Sequence, residues 1–135
     1  MPGPRFAIAP ERTLDGALGF ELEAVGDGRA VGRMAVADRV RQPFGIVHGG
    51  AYAALAESLA SIGTHEAVAG EGLVPMGLSN QTSFLRPVAE GTVQGEARRR
   101  HRGRTTWIWD VEFTDDEGRT CALSRVTVAL RPSDS

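Results

Sequence analysis

The chain has no lysine. All 15 of its basic residues are arginine, which rules out imine chemistry on a lysine amine. Cys121 is its only cysteine, so neither an intrachain disulfide nor a Cys-rich zinc site can form. No apolar run approaches the roughly 18 residues of a membrane span. The N-terminus, MPGPRFAIAPERTLDG, lacks the basic segment and apolar stretch of a signal peptide. A cytoplasmic protein with no membrane partner is expected. A basic excess is missing as well. The net charge is −2, which counts against a dedicated nucleic-acid binder. What remains is ordinary: 135 residues, 41% hydrophobic and 24% charged. That is enough for one core and too little for two. The expected unit is one domain over 1–135, with 1–10, rich in proline, as a flexible arm.

Residues 11–17 have room for one short helical turn. Leu18, Phe20, Leu22 and Ala24 then alternate with Gly19, Glu21 and Glu23, the period of a half-buried strand. Gly26-Asp27-Gly28 reads as a turn, and 29–36 returns as a second strand. A glycine-containing loop over 37–50 leads into AYAALAESLASIGTHEAVA (51–69), the one long helix candidate. Tyr52, Leu55, Leu59 and Ile62 follow helical spacing, and alanine and serine fill most other positions. Such a helix is apolar or small on nearly every side and is expected to be buried. Strands are expected at 73–85, 92–101, 104–114 and 119–130. In the third, Trp107, Trp109, Val111 and Phe113 alternate with Thr106, Ile108, Asp110 and Glu112. Asp115-Asp116-Glu117-Gly118 is a hairpin signal. The pattern predicts an α+β fold, a mostly antiparallel sheet wrapped around one helix. An unsealed sheet edge pairs with a copy of itself, so a homodimer is expected.

Chemistry concentrates between Gln42 and Glu57. Glu57 stands among small apolar residues with no arginine three or four positions away on the same helix, so burial there would disfavour its charged form. The alternative is a glutamate facing solvent. Gly49 and Gly50 precede the helix, where unpaired N–H groups and the helix dipole suit a phosphate or a developing oxyanion. A tight turn also explains two glycines, and His48 alone is ambiguous. Glu57 lies eight residues after Gly49, roughly 12 Å along a helix axis. One side chain cannot reach a carbonyl held at its own helix start. If both act on one substrate, the carboxylate must meet the helix start of a second copy across a two-fold axis. Ser61, four residues after Glu57, shares its face and has the reach to orient the carboxylate or a water.

These residues resemble the hotdog-fold acyl-CoA thioesterases of the phenylacetate-degradation type. Within that group the chain is most similar to 4-hydroxybenzoyl-CoA and 1,4-dihydroxy-2-naphthoyl-CoA thioesterases, over about 15–131. The pattern Gln42-x5-His48-Gly49-Gly50-x6-Glu57 carries the likeness. Gly77-Leu78, Arg86-Pro87, Gly103-Arg104-Thr105 and Asp116-Glu117-Gly118-Arg119 fit the same template. The resemblance implies a hotdog fold, in dimers that often pair into tetramers. It implies that Glu57 is the nucleophile or general base and that the Gly49 N–H polarises the thioester carbonyl. Gln42 and His48 flank the thioester, and Ser61 helps hold the carboxylate or water. Gly50 lets the substrate approach the backbone. Ile62 and Phe84 line the acyl pocket where naphthoyl-CoA enzymes carry methionine and histidine, which implies a different acyl group. No cofactor is implied, since coenzyme A is part of the substrate.

The run Arg98-Arg99-Arg100-His101-Arg102-Gly103-Arg104 reads either as a solvated strand end or as a phosphate site for the coenzyme A nucleotide; the resemblance implies that this region, with Arg86, Gly103, Arg104 and Thr105, lies near that nucleotide. Trp107 and Trp109 alternate as core residues rather than as a stacking platform, which disfavours RNA. His65-Glu66 lacks the second histidine of a zinc-protease motif, no other metal-ligand cluster stands out, and no serine sits in a nucleophile elbow. Two other functions compete with hydrolysis. One is a non-catalytic acyl-CoA sensor on the same fold. The other is a dehydratase or hydratase, which needs a base placed at a C–H bond.

Overall fold

Alternation along the chain sets the sheet. The computed structural model describes residues 6–133, so residues 1–5 of the expected arm lie outside the described residues. A 3₁₀ turn, Pro10–Arg12, leads to a one-turn helix α1 (Leu14–Ala17). Then come β1 (Phe20–Gly26), β2 (Arg29–Ala35), a second 3₁₀ turn (Asp38–Val40) and the long helix α2 (Gly49–Ala67). Four strands complete the chain: β3 (Leu73–Phe84), β4 (Thr92–Arg102), β5 (Thr106–Thr114) and β6 (Thr120–Pro132). They form one antiparallel sheet in the order β1-β2-β4-β5-β6-β3. Asp27 and Gly28, at the tip of the β1–β2 hairpin, both have positive φ, as a two-residue turn matching the strand twist requires. Among the described residues no helix is long and apolar enough to cross a membrane.

Trp107, Trp109, Val111 and Phe113 of β5 are buried against α2, as their alternation predicts. Ala51, Tyr52, Leu55, Ala56, Leu59 and Ala60 meet them from the helix. Gly32 of β2 pairs with Gly95 of β4. A Cβ on either would come within 3.2 Å of a Leu59 methyl, so the absent side chains make the groove that seats Leu59. Asn80 of β3 donates its amide N–H to the Ala53 carbonyl at 2.8 Å and fixes that edge strand onto the helix.

Two expectations are corrected. Leu22 and Ala24 of β1 are exposed rather than half-buried, because β1 is an edge strand whose ladder shifts register between Leu22 and Ala24. Nor is α2 buried all round. Gly50 and Glu57 are exposed and Ala54 and Ser61 only partly buried. Spaced 4, 3 and 4 apart, they form one stripe that the chain's own sheet does not cover.

Candidate active site

The start of α2 is held by a tight loop. Gln42 receives and returns backbone bonds across it: its N–H donates to Ile46 O at 2.8 Å, and its carbonyl accepts from Gly45 N–H at 3.0 Å. Its side-chain Oε1 accepts from Phe44 N–H at 2.6 Å. Val47 and His48 then bond to Val88 O and Val40 O, which pins the loop and aims the chain into the helix. His48 is the N-cap: its Nδ1 accepts from Gly50 N–H at 2.7 Å. Accepting that bond requires a lone pair on Nδ1. Ala51 N–H bonds to His48 O. Gly49 N–H is left without an acceptor among the described residues, at the positive end of a 19-residue helix. The Phe84 ring lies over it, and a Cβ on Gly49 would meet Cζ of that ring at 2.6 Å.

Gln42, Gly49, Phe84 and Arg86 line one cavity of about 360 Å³, with Tyr52 and Leu85 in its wall. Glu57, Ser61 and Ile62 line another, of about 420 Å³. The chain thus divides the expected catalytic set between two cavities. One is lined by Gly49 and the Gln42 amide, the other by a carboxylate and a hydroxyl. The Glu57 carboxyl faces Gly77 of β3, whose Cβ position lies 3.6 Å away. There the β3–β6 ladder shifts register between Gly77 and Ser79, a bulge that leaves Leu78 unpaired and exposed. Glu57 makes no ion pair among the described residues. Within one chain it is exposed, so the desolvation expected of it is not present there.

Other expected positions fall differently. His48 and Gly50 line neither cavity; they bond to each other in the cap. Gly103 closes the β4–β5 turn, donating to Thr106 O and accepting from Trp107 Nε1, and a Cβ there would strike Thr106 O at 2.7 Å. Thr105 O accepts from Leu130 N–H. The arginine run is largely engaged within the sheet. Arg98 pairs with Glu96 and Arg100 with Asp110. Arg99 and Arg102 lie over the Trp107 ring, 5.1 and 4.7 Å from its centroid. Arg86 and Arg104 are exposed and carry no ion pair among the described residues.

Sequence reading missed two groups. Phe6, Ile8 and Leu14 line the Glu57 cavity, and Ser58 donates to Asp15 at 2.7 Å, tying α1 to α2. The local signal was the apolar pair Phe6-x-Ile8 inside a proline-rich stretch. Tyr52 is the other. Its hydroxyl is buried without a hydrogen-bond partner among the described residues, beside the Cys121 thiol. Burial first, then that thiol, raises the phenol pKa.

The chain is similar to known proteins in sequence and in fold. The family model of the thioesterase superfamily matches residues 44–122. A 1,4-dihydroxy-2-naphthoyl-CoA hydrolase of Escherichia coli is 37% identical over 120 residues, covering 89% of this chain and 88% of its own. A solved Pseudomonas aeruginosa thioesterase, studied as a glutamine-to-alanine variant, superposes with a TM-score of 0.87 at 35% identity, over 91% of this chain and 88% of its own. A Staphylococcus aureus thioesterase superposes with a TM-score of 0.85 at 32% identity, over 88% of this chain and 98% of its own. That enzyme was solved as a glutamine-to-alanine and as a glutamate-to-alanine variant, at positions fifteen residues apart. Gln42 and Glu57 have the same separation.

Proposed function

The chain belongs to the thioesterase superfamily, and on that premise we propose that it hydrolyses an acyl-CoA thioester, with an aryl or medium-chain acyl group, in a site built by two copies of the chain. Glu57 of one copy acts at the carbonyl that the Gly49 N–H of the other polarises. The carboxylate either attacks the carbonyl carbon, giving an anhydride that water then cleaves, or takes a proton from the water that attacks. In both cases the C–S bond breaks, coenzyme A leaves as its thiolate, and the free acid remains. The Gly49 N–H stabilises the oxyanion, the Gln42 amide lies beside it, and Ser61 orients the carboxylate or water. Coenzyme A enters as part of the substrate, and the reaction uses no other cofactor. Arg86, which lines the Gly49 cavity and has no ion pair among the described residues, is suited to a coenzyme A phosphate.

One observation carries this reading: Gly49 and Glu57 line different cavities of the same chain, and each cavity holds half of what thioester hydrolysis needs. Two features favour a two-fold partner that joins them. The α2 stripe of Gly50, Ala54, Glu57 and Ser61 is uncovered. Strand β3 also has a free edge, with Met76 and Leu78 more than half exposed. Pairing of such dimers into tetramers belongs to the same proposal.

The test is complementation. Glu57→Ala and Gly49→Val are each expected to lose at least about a thousandfold in kcat while remaining folded. Unfolded and refolded together in equal amounts, they should regain about a quarter of wild-type activity. Half the dimers are then mixed, and each mixed dimer holds one intact site of two. A mixture as inactive as its parts rules out the shared site. Near wild-type turnover by Glu57→Ala rules out the role of Glu57.

A further inference from the structure

The cavity that holds Glu57 is bounded on one side by the first residues of the described chain. Phe6, Ile8 and Leu14 line it together with Leu55, Leu59 and Ile62 of α2. Phe6, Ile8 and Leu14 are 46%, 53% and 61% exposed. Leu22, on the neighbouring strand, joins them at 39%. Large apolar side chains exposed together around a concavity mark a binding surface rather than a core. The segment is also fastened in place. The Thr13 hydroxyl and the Thr13 N–H both bond to Pro10 O, closing the turn that directs the chain back along α2. Asp15 accepts from the Ser58 hydroxyl at 2.7 Å, one residue from Glu57. The polar residues of the cavity are Glu57, Ser58 and Ser61 along α2 with Thr13, Asp15 and Glu21, whereas Phe6, Ile8, Pro10 and Leu14 make the rest of the 6–14 wall hydrocarbon.

We propose that Phe6, Ile8 and Leu14 are specificity-determining residues: they form the wall against which the acyl group of the substrate packs, and they select unsubstituted hydrocarbon acyl groups over short or polar ones. This rests on the reading that Glu57 acts on the thioester carbon, which puts the acyl group in the cavity that Glu57 shares with this wall. The Asp15–Ser58 bond acts as a positioning contact that holds the wall at a fixed distance from the helix.

The experiment compares kcat/KM on acetyl-, butyryl-, octanoyl- and benzoyl-CoA for the wild-type protein, for Phe6→Ala/Ile8→Ala, and for Ile8→Trp. Phe6 and Ile8 are half exposed, so neither change removes core packing. Wild type is expected to favour octanoyl- or benzoyl- over acetyl-CoA. In the double alanine variant the octanoyl-to-acetyl ratio should fall at least about tenfold, the scale set by lost apolar contact in a pocket, with KM carrying most of the change. Ile8→Trp should lower the ratio through crowding and shift the preferred chain toward butyryl. If both variants keep the wild-type ratio within about twofold while hydrolysing all four substrates, the wall has no selective role and the proposal is wrong. If the wild-type protein hydrolyses none of the four, the thioesterase reading fails and the proposal fails with it.

Discussion

Gly63 lies in the middle of α2, where alanine is the better helix former by about 1 kcal/mol. On helix propensity alone Gly63→Ala stabilises the protein. The tertiary structure reverses that sign. A Cβ at Gly63 would lie 2.6 Å from Cη2 of Trp109, 3.0 Å from Cζ2 and 3.2 Å from Cζ3. Ordinary carbon contacts are about 3.5–4.0 Å, so the ring or the helix must retreat by roughly 1 Å. Trp109 cannot give way easily. It is fully buried, and its Nε1 donates to Thr64 Oγ1 at 2.9 Å while that hydroxyl donates to Ala60 O at 2.8 Å. Overpacking of this kind costs about 1–3 kcal/mol, and the rigid ring puts the cost in the upper half of that range. After the gain in propensity the net loss is about 1–2 kcal/mol, a fall in Tm of about 3–6 °C. Urea unfolding followed by far-UV circular dichroism, at equal protein concentration and with an unchanged m-value, measures it. The same substitution in a Trp109→Phe background is the decisive control. All three clashing atoms belong to the outer indole ring, which phenylalanine lacks. There Gly63→Ala should stabilise by up to about 1 kcal/mol. A single variant at least as stable as wild type, or the same sign in both backgrounds, refutes the steric argument.

Two further outcomes follow from buried and paired polar groups. Tyr52→Phe removes a buried hydroxyl that has no hydrogen-bond partner among the described residues and should raise stability by about 1 kcal/mol, read as a higher urea midpoint; a lower midpoint shows the hydroxyl to be satisfied in solution. Acid should destabilise the fold in a definite window. Hydrogen bonds from Arg125, and then its charge and that of Arg100, hold Asp110 below the usual carboxylate range despite partial burial. In Glu96 burial pushes the pKa up, but the Arg29 bond and charge, with Arg98, outweigh it. Asp115 is lowered first by the Arg119 backbone N–H. A depressed folded pKa means stability that is present above the unfolded value of about 4 and lost as pH falls through the folded one. The urea midpoint should therefore drop below about pH 4, and Arg125→Ala should shrink that drop. An Arg125→Ala profile parallel to wild type would show that Asp110 contributes nothing to it.

Much of the fold was legible because its signals are local. The β5 alternation of Trp107, Trp109, Val111 and Phe113 has a period of two, and each of those side chains is buried. The helix expected over 51–69 runs Gly49–Ala67, since small residues and Gly70-Glu71-Gly72 mark its course and its end. The helical rise alone also gave the separation of Gly49 from Glu57 that appears as two cavities. Other features depend on contacts far apart in sequence. The arginine run reads as free positive charge until Glu96 and Asp110 face it across the sheet. Leu22 reads as core until its strand proves to be an edge.

The sequence by itself determined the alternation of β5, the one long helix and the Gln42-to-Glu57 spacing, because these depend on backbone geometry within a few residues. Only the tertiary structure decided which face of α2 stays uncovered, that His48 caps the helix beside a Gly49 N–H with no acceptor among the described residues, and that residues 6–14 wall the cavity of Glu57. Those outcomes depend on which distant segments the folded sheet brings against the helix, and no local period records that.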